Sequence, residues 1–87
     1  MPLLHIPRPL RRHAGGQDRL EVVGSTVREA LAAAGRDHPA LEAAILSEGE
    51  LRPEFALAVD DEITDDGLGA KLDATSEIHL LPALGGG

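Results

Sequence analysis

The 87 residues are enough for one domain, and a chain of this size buries only about 60% of the surface its unfolded form exposes, so its core is modest. With one Phe, one Met and no Tyr, Trp or Cys, that core must be aliphatic; disulfides and thiol nucleophiles are excluded. A net charge of −7 argues against a nucleic-acid binder, which needs clustered Lys and Arg, and favours a partner with a basic surface. No apolar run approaches the roughly 20 residues that span a bilayer, and no basic start followed by a long apolar stretch marks a leader, so a cytoplasmic protein is expected.

Pro2 to Ile6 is short, apolar and closed by Pro7 and Pro9, which predicts a strand ending where proline removes backbone donors. Leu10 to Gln17, with Gly15-Gly16 and no periodic pattern, reads as the connection of a hairpin. The small basic run of Arg8, Arg11 and Arg12 reads as a solvated loop edge. Asp18 to Val23 alternates, with Leu20 and Val22 on one face, and completes an antiparallel pair.

Gly24-Ser25-Thr26 precedes Val27, Ala30, Leu31 and Ala34 at i, i+3, i+4 and i+7. This predicts a capped amphipathic helix with Glu29 in its first turn and Gly35 as its stop. A second helix is expected from Asp37-His38-Pro39, with Leu41, Ala44 and Ile45 buried, ending before Gly49. Leu51 to Val59 returns to strand character, placing Phe55, Leu57 and Val59 on one face.

Asp60 to Gly67 is an acidic loop with a short edge strand near Glu62 to Thr64. Its carboxylates do not fit a calcium loop, because aligning Gly67 with the sharp turn leaves Asp73 where a bidentate Glu is needed. Gly67 to Leu72 reads as a helical turn or irregular connection, and Glu77 to Leu81 as the last strand, with Ile78 and Leu80 inward. His5 and His79 fall on strands that could be neighbours, but with no third ligand apparent no metal site is expected. No nucleophile and base, or paired carboxylates, stand out, so the domain is expected to have no active site of its own.

The chain closes on Leu80-Leu81-Pro82-Ala83-Leu84-Gly85-Gly86-Gly87. Glycine is costly to order and packs nothing, so a run of three suits access: a backbone without Cβ atoms can enter a channel that side chains cannot. Leu84 to Gly87 could extend roughly 13–14 Å. The same run also suits a frayed terminus, and the glycines alone do not separate the two.

Strand, strand, helix, helix, strand, short strand, strand predicts an α+β fold, a mixed sheet of four to five strands with helices packed on one face. The first and last strands are expected side by side in its middle, a ubiquitin-like β-grasp arrangement over residues 1–83. Residues 84–87 are expected to form a flexible glycine tail.

Nearly the whole length then resembles the MoaD/ThiS class of ubiquitin-like sulfur carrier proteins, nearest the CysO-type carriers linked to cysteine synthesis. The resemblance rests on Ile6-Pro7, Leu10-Arg11 and Gly15-Gly16, then Gly24-Ser25-Thr26-Val27, His38-Pro39 with Leu41 and Leu46, and Gly49-Glu50-Leu51-Arg52. Gly67-Leu68 and the closing Leu81-Pro82-Ala83-Leu84-Gly85-Gly86-Gly87 complete it. The chain departs from the pattern at Val59-Asp60, where the family has Val-Asn, and at Asp73-Ala74-Thr75-Ser76 for Asp-Gly-Asp. Three terminal glycines stand for Ala-Gly-Gly.

The resemblance implies a protein cosubstrate rather than an enzyme. The Gly87 carboxylate, with Gly86 behind it, is adenylated by an E1-like adenylyltransferase of the MoeB/ThiF type using ATP, then converted to a thiocarboxylate. No cofactor is bound by the carrier itself. A sulfur-accepting synthase, such as a PLP-dependent enzyme like cysteine synthase, takes the sulfur. Gly85, Leu84, Pro82, Leu81 and Phe55 are the expected tail and docking residues, with Leu57 beside them. Related readings are the small subunit of molybdopterin synthase and the thiamine carrier. A reading from a different class is a ubiquitin-like modifier conjugated through Gly87, and a third is a plain interaction domain with incidental glycines.

Overall fold

The computed structural model describes residues 1–64 and 66–82. Strand β1 (Leu3–His5) is followed by the hairpin connection expected there, which contains a 3-10 helix over Arg8–Ala14 that was not expected. Pro9 sits in its first turn and Leu10 and Ala14 are buried. So short a helix shows no readable period in sequence, which is why the turn glycines dominated that reading. Arg11 Nε donates to the Ile6 carbonyl at 2.9 Å and ties this helix to the end of β1. Strand β2 (Arg19–Glu21) pairs antiparallel with β1, and the Ile6 and Val22 amides extend the pairing to Asp18 and Pro2.

Helix α1 (Val27–Asp37) starts as expected. Thr26 caps it by accepting from the Glu29 amide, and Glu29 Oε1 returns to accept from the Ser25 amide at 2.8 Å and hydroxyl at 2.9 Å. Gly35 is not its stop. It lies buried inside the helix, where an added Cβ would come within 2.9 Å of Glu42 Cβ on helix α2 (Pro39–Ile45). It therefore marks close helix approach. The break falls at His38 (φ −134°, ψ 71°), held out of the helical region by the proline that follows.

Beyond α2 a two-stranded hairpin forms, β3 (Leu46–Ser47) with β4 (Glu50–Leu51), turned by Glu48 and Gly49 at φ 54° and 78°. The single strand expected over Leu51 to Val59 is thus two elements. Arg52–Glu54 turn the chain, with Phe55 N bonded to Arg52 O, and only β5 (Phe55–Val59) joins the main sheet. Asp60 and Asp61 (φ 53° and 72°) turn it into β6 (Glu62–Ile63), the short edge strand expected. A 3-10 turn at Gly67–Gly69 buries Leu68 before β7 (Glu77–Pro82).

Among the described residues the main sheet has five strands in the order β2-β1-β7-β5-β6. Strand β7 runs parallel to β1 and antiparallel to β5, so first and last strands lie side by side as the pattern implied. The register defines rows across the sheet. Leu20, Leu4, Ile78 and Val59 share one row, and Leu57 faces Leu80 in the next. These point toward the helices, where with Ile6, Val27, Leu31, Leu41 and Ile45 they make an aliphatic core without a buried aromatic. The intervening rows face the other way: Glu21, Leu3 and Glu77; Arg19, His5, His79, Ala58 and Ile63; then Leu81 with Ala56.

Gly24 is the glycine this arrangement needs. Its φ of 151° lies where side chains are rarely tolerated, and a Cβ there would lie 2.8 Å from both the Ala30 amide nitrogen and Glu29 Cβ. Gly24→Ala is expected to cost about 2–4 kcal/mol, read as a lower urea midpoint with unchanged slope. An unaltered midpoint would show that the helix entry relaxes freely.

Candidate functional site

Strand β7 delivers the chain to its last residues, and both of its ends are fixed. At its start, Asp73 Oδ1 accepts from the Thr75 amide at 2.8 Å and hydroxyl at 2.9 Å. The buried Ser76 hydroxyl accepts from the Asp73 amide at 2.9 Å, and the Ser76 carbonyl accepts from Leu3 N. These side-chain bonds shape the turn that a glycine would otherwise make. Glu77 is locked to the β5–β6 turn: its amide donates to Asp60 Oδ1 at 2.9 Å, while its carbonyl accepts from the Asp60 amide. Asp60, standing where the family motif has Asn, thus does its work as an acceptor.

At the other end Pro82, exposed, is the register partner of Phe55, and Leu81, half-buried, is the partner of Ala56. Directly opposed residues share a sheet face, so Phe55 packs toward the helices and Leu81 lies on the open face. The structure does not bring those two together as one patch. Leu57, 3% exposed, belongs to the core. Leu84, Gly85, Gly86 and Gly87, and the boundary expected at residue 83, lie outside the described residues.

The open face carries a feature only half visible in the sequence. His5 and His79 are neighbours in register and stack with ring centroids 4.2 Å apart and planes within 7° of parallel. Glu77, two residues before His79 on the same face, accepts from His5 Nε2 through Oε1 at 2.7 Å. The i, i+2 spacing of Glu77 and His79 was the available signal; it gains meaning only when β1 is known to lie beside them.

Other motif residues prove to be struts. Arg52 donates through Nε and Nη2 to the Ala43 carbonyl at 3.1 and 2.9 Å, placing its cation at the C-terminal end of α2, and Arg28 donates to the Gly49 carbonyl at 2.8 Å. Among the described residues no helix is long and apolar enough to cross a membrane.

Comparison with known proteins decides the family. A model of the ThiS family matches residues 4–87. The chain belongs to the ThiS family. A chain from the crystal structure of the Amycolatopsis orientalis BexX/CysO complex superposes on this ThiS-family protein with a TM-score of 0.89 at 30% identity, each covered over 100% of its length. SAMP1 from Haloferax volcanii gives 0.74 at 31% identity, covering 99% of this chain and 98% of its own. CysO from Mycobacterium tuberculosis, at 24% identity and 0.87, shares the fold over 97% of this chain and 100% of its own. No curated protein matches the chain. The fold is accordingly the expected ubiquitin-like β-grasp, and the protein is a small carrier of the ThiS/MoaD type, a family not itself catalytic.

The hydrogen bonds from Thr75 hold the Asp73 carboxyl below its ordinary value, and the bonds from Ser25 do the same for Glu29. A lowered folded-state pKa means stability that is present at neutral pH and lost as pH falls through that pKa, because the unfolded chain takes up protons first. In this ThiS-family protein the urea midpoint should therefore fall as pH drops from about 5 to about 2. Asp73→Asn should be destabilising at pH 7, with its difference from wild type shrinking toward pH 2. An equal difference at both ends would remove the charge from the turn's stabilisation.

Proposed function

We propose that this protein is a sulfur carrier whose working group is the Gly87 carboxylate. The observation that supports this reading is a family match running through Leu81-Pro82-Ala83-Leu84-Gly85-Gly86 to Gly87. Strand β7, paired on both sides, gives that segment a rigid base ending at the exposed Pro82. A carboxylate is a poor electrophile until its oxygen carries a good leaving group. In this proposal an E1-like adenylyltransferase directs a Gly87 carboxylate oxygen to the α-phosphorus of ATP, releasing pyrophosphate. Hydrosulfide then attacks the acyl carbon of the anhydride, AMP leaves, and a C-terminal thiocarboxylate remains.

The thiocarboxylate is a soft nucleophile matched to an electrophilic carbon held by a sulfur-accepting synthase, for which a PLP-dependent enzyme like cysteine synthase is the proposed type. Gly85, Gly86 and Gly87 present no Cβ to the walls of either enzyme's channel, and Leu84 and Pro82 set the approach of the chain. The ATP-dependent step suits a cytoplasmic protein. Docking is assigned to the open face, where Leu81 and the 69%-exposed Ile63 supply apolar contact; Phe55 takes part only where it flanks Pro82.

The similarity to SAMP1, a modifier by name, favours a second reading: conjugation of Gly87 to lysines of other proteins through the same acyl-adenylate. Isopeptide adducts in cells, rather than a free thiocarboxylate, would identify it. Lys71, the only lysine, is exposed and would offer a single site for chain formation.

Incubation with ATP, an activating enzyme and sulfide should raise the intact mass by the replacement of one oxygen by sulfur, confined to the C-terminal peptide. Removing Gly87 should abolish the gain while leaving thermal unfolding unchanged, since a glycine has no side chain to bury. Gly86→Val should block adenylation; normal adenylation of that variant would refute the narrow-channel argument. Ile63→Asp, at an exposed position, should raise the KM for activation roughly tenfold while altering stability by no more than about 0.5 kcal/mol.

A further inference from the structure

We propose that His5, Glu77 and His79 form a binding site for a divalent transition-metal ion of the Zn2+ class on the open face of the sheet. One ligand atom from each residue lies within 4.8 Å of the other two. Two imidazoles and a carboxylate are a donor set that suits zinc and its neighbours in the first transition row rather than calcium or magnesium. Three protein ligands leave the remaining coordination to water, as in open zinc sites.

The geometry requires only side-chain motion. Tetrahedral ligands about 2.0–2.1 Å from zinc lie about 3.4 Å apart. The His5 Nε2 to Glu77 Oε1 distance of 2.7 Å must open slightly, no pair has to close by more than about 1.4 Å, and because each imidazole ligates along its ring plane the two stacked rings must turn out of parallel by χ rotation. The ion takes the place of the proton that now bridges His5 Nε2 and the carboxylate, and that proton passes to Nδ1 or to solvent.

The backbone beneath is already fixed. Strands β1 and β7 are the second and third of five, each paired on both sides, and the three positions are set by register. Little conformational freedom is left to lose on binding. Access is open, since the His5 and Glu77 side chains are 28% and 50% exposed, and the row neighbour of His79 on the far side is the small Ala58. The chain's net charge of −7 also draws cations. This inference uses no part of the sulfur-carrier reading and stands or falls separately from it.

The test is calorimetric titration of the full chain with ZnCl2, using wild type, His5→Gln, His79→Gln, Glu77→Gln and a control with His13 and His38 both changed to Gln. Circular dichroism would verify that each is folded. The proposal expects one Zn2+ per chain in wild type and control, binding lost in both His5→Gln and His79→Gln, and at least tenfold weaker binding in Glu77→Gln. The thermal midpoint of wild type should also rise with Zn2+ concentration, and that of His79→Gln should not. No saturable binding up to about 1 mM Zn2+ would overturn the proposal. So would binding that survives either single histidine change, which would put the ion elsewhere, for instance on the acidic loop.

Discussion

The parallel pairing of β1 with β7 joins Leu3 to Glu77 and His5 to His79, residues from opposite ends of the described chain, and the rest of the structure is arranged to make that pairing possible. Parallel neighbours cannot be joined by a tight turn, so the intervening chain must cross over one face of the sheet, and here α1 and α2 do so. Closing so long a loop costs entropy that grows only logarithmically with its length, but that cost is incurred before the non-local contacts can offset it. Leu4 and Ile78, register partners on those two strands and both fully buried, are the contact that offsets it most directly. A strand held this way on both sides is also a firm base for whatever follows Pro82.

Several residues that carry the family resemblance act mechanically. Arg11 reaches back to the Ile6 carbonyl, Arg52 to Ala43 at the end of α2, and Gly24 admits the chain to α1 where no side chain fits. Each acts at a junction between elements, where backbone groups left unpaired by one element need a partner from another. The motif is thus largely a description of how the crossover is fastened, and only its final segment enters the chemistry proposed above.

What could be read from the sequence was whatever lay in a periodic pattern. Val27, Ala30, Leu31 and Ala34 announced α1, and the alternation at Ile78 and Leu80 announced the inward face of β7; both residues are buried. Turns made without glycine were legible as turns but not in how they are built. Asp60 and Asp61 adopt positive φ, and Asp73 with Thr75 and Ser76 builds a turn from side-chain hydrogen bonds. Gly35 misled in the opposite sense, since a glycine placed for close helix packing looks in sequence like one placed to end a helix. The candidate site divides similarly. His5 and His79 were visible as a pair, but Glu77 joins them only through the register of two strands that sequence cannot align. Phe55 and Leu81 looked like one apolar patch until the pairing with Pro82 and Ala56 put them on opposite faces.

That separation of faces follows from composition. A chain of 87 residues with a single Phe and no Tyr or Trp has too little apolar volume to cover both sides of a five-stranded sheet, so its large aliphatics go to the side the helices cover. The other side is left with small, polar and titratable residues: Ala56 and Ala58 make it low in relief, Ile63 and Leu81 give it isolated apolar points, and His5 with His79 gives it a stacked pair at the centre. Because packing imposes little on that face, its residues are free to be chosen for contact with other molecules. The core is then accounted for by the helix-covered side, and the side that folding leaves uncovered is the one proposed for docking.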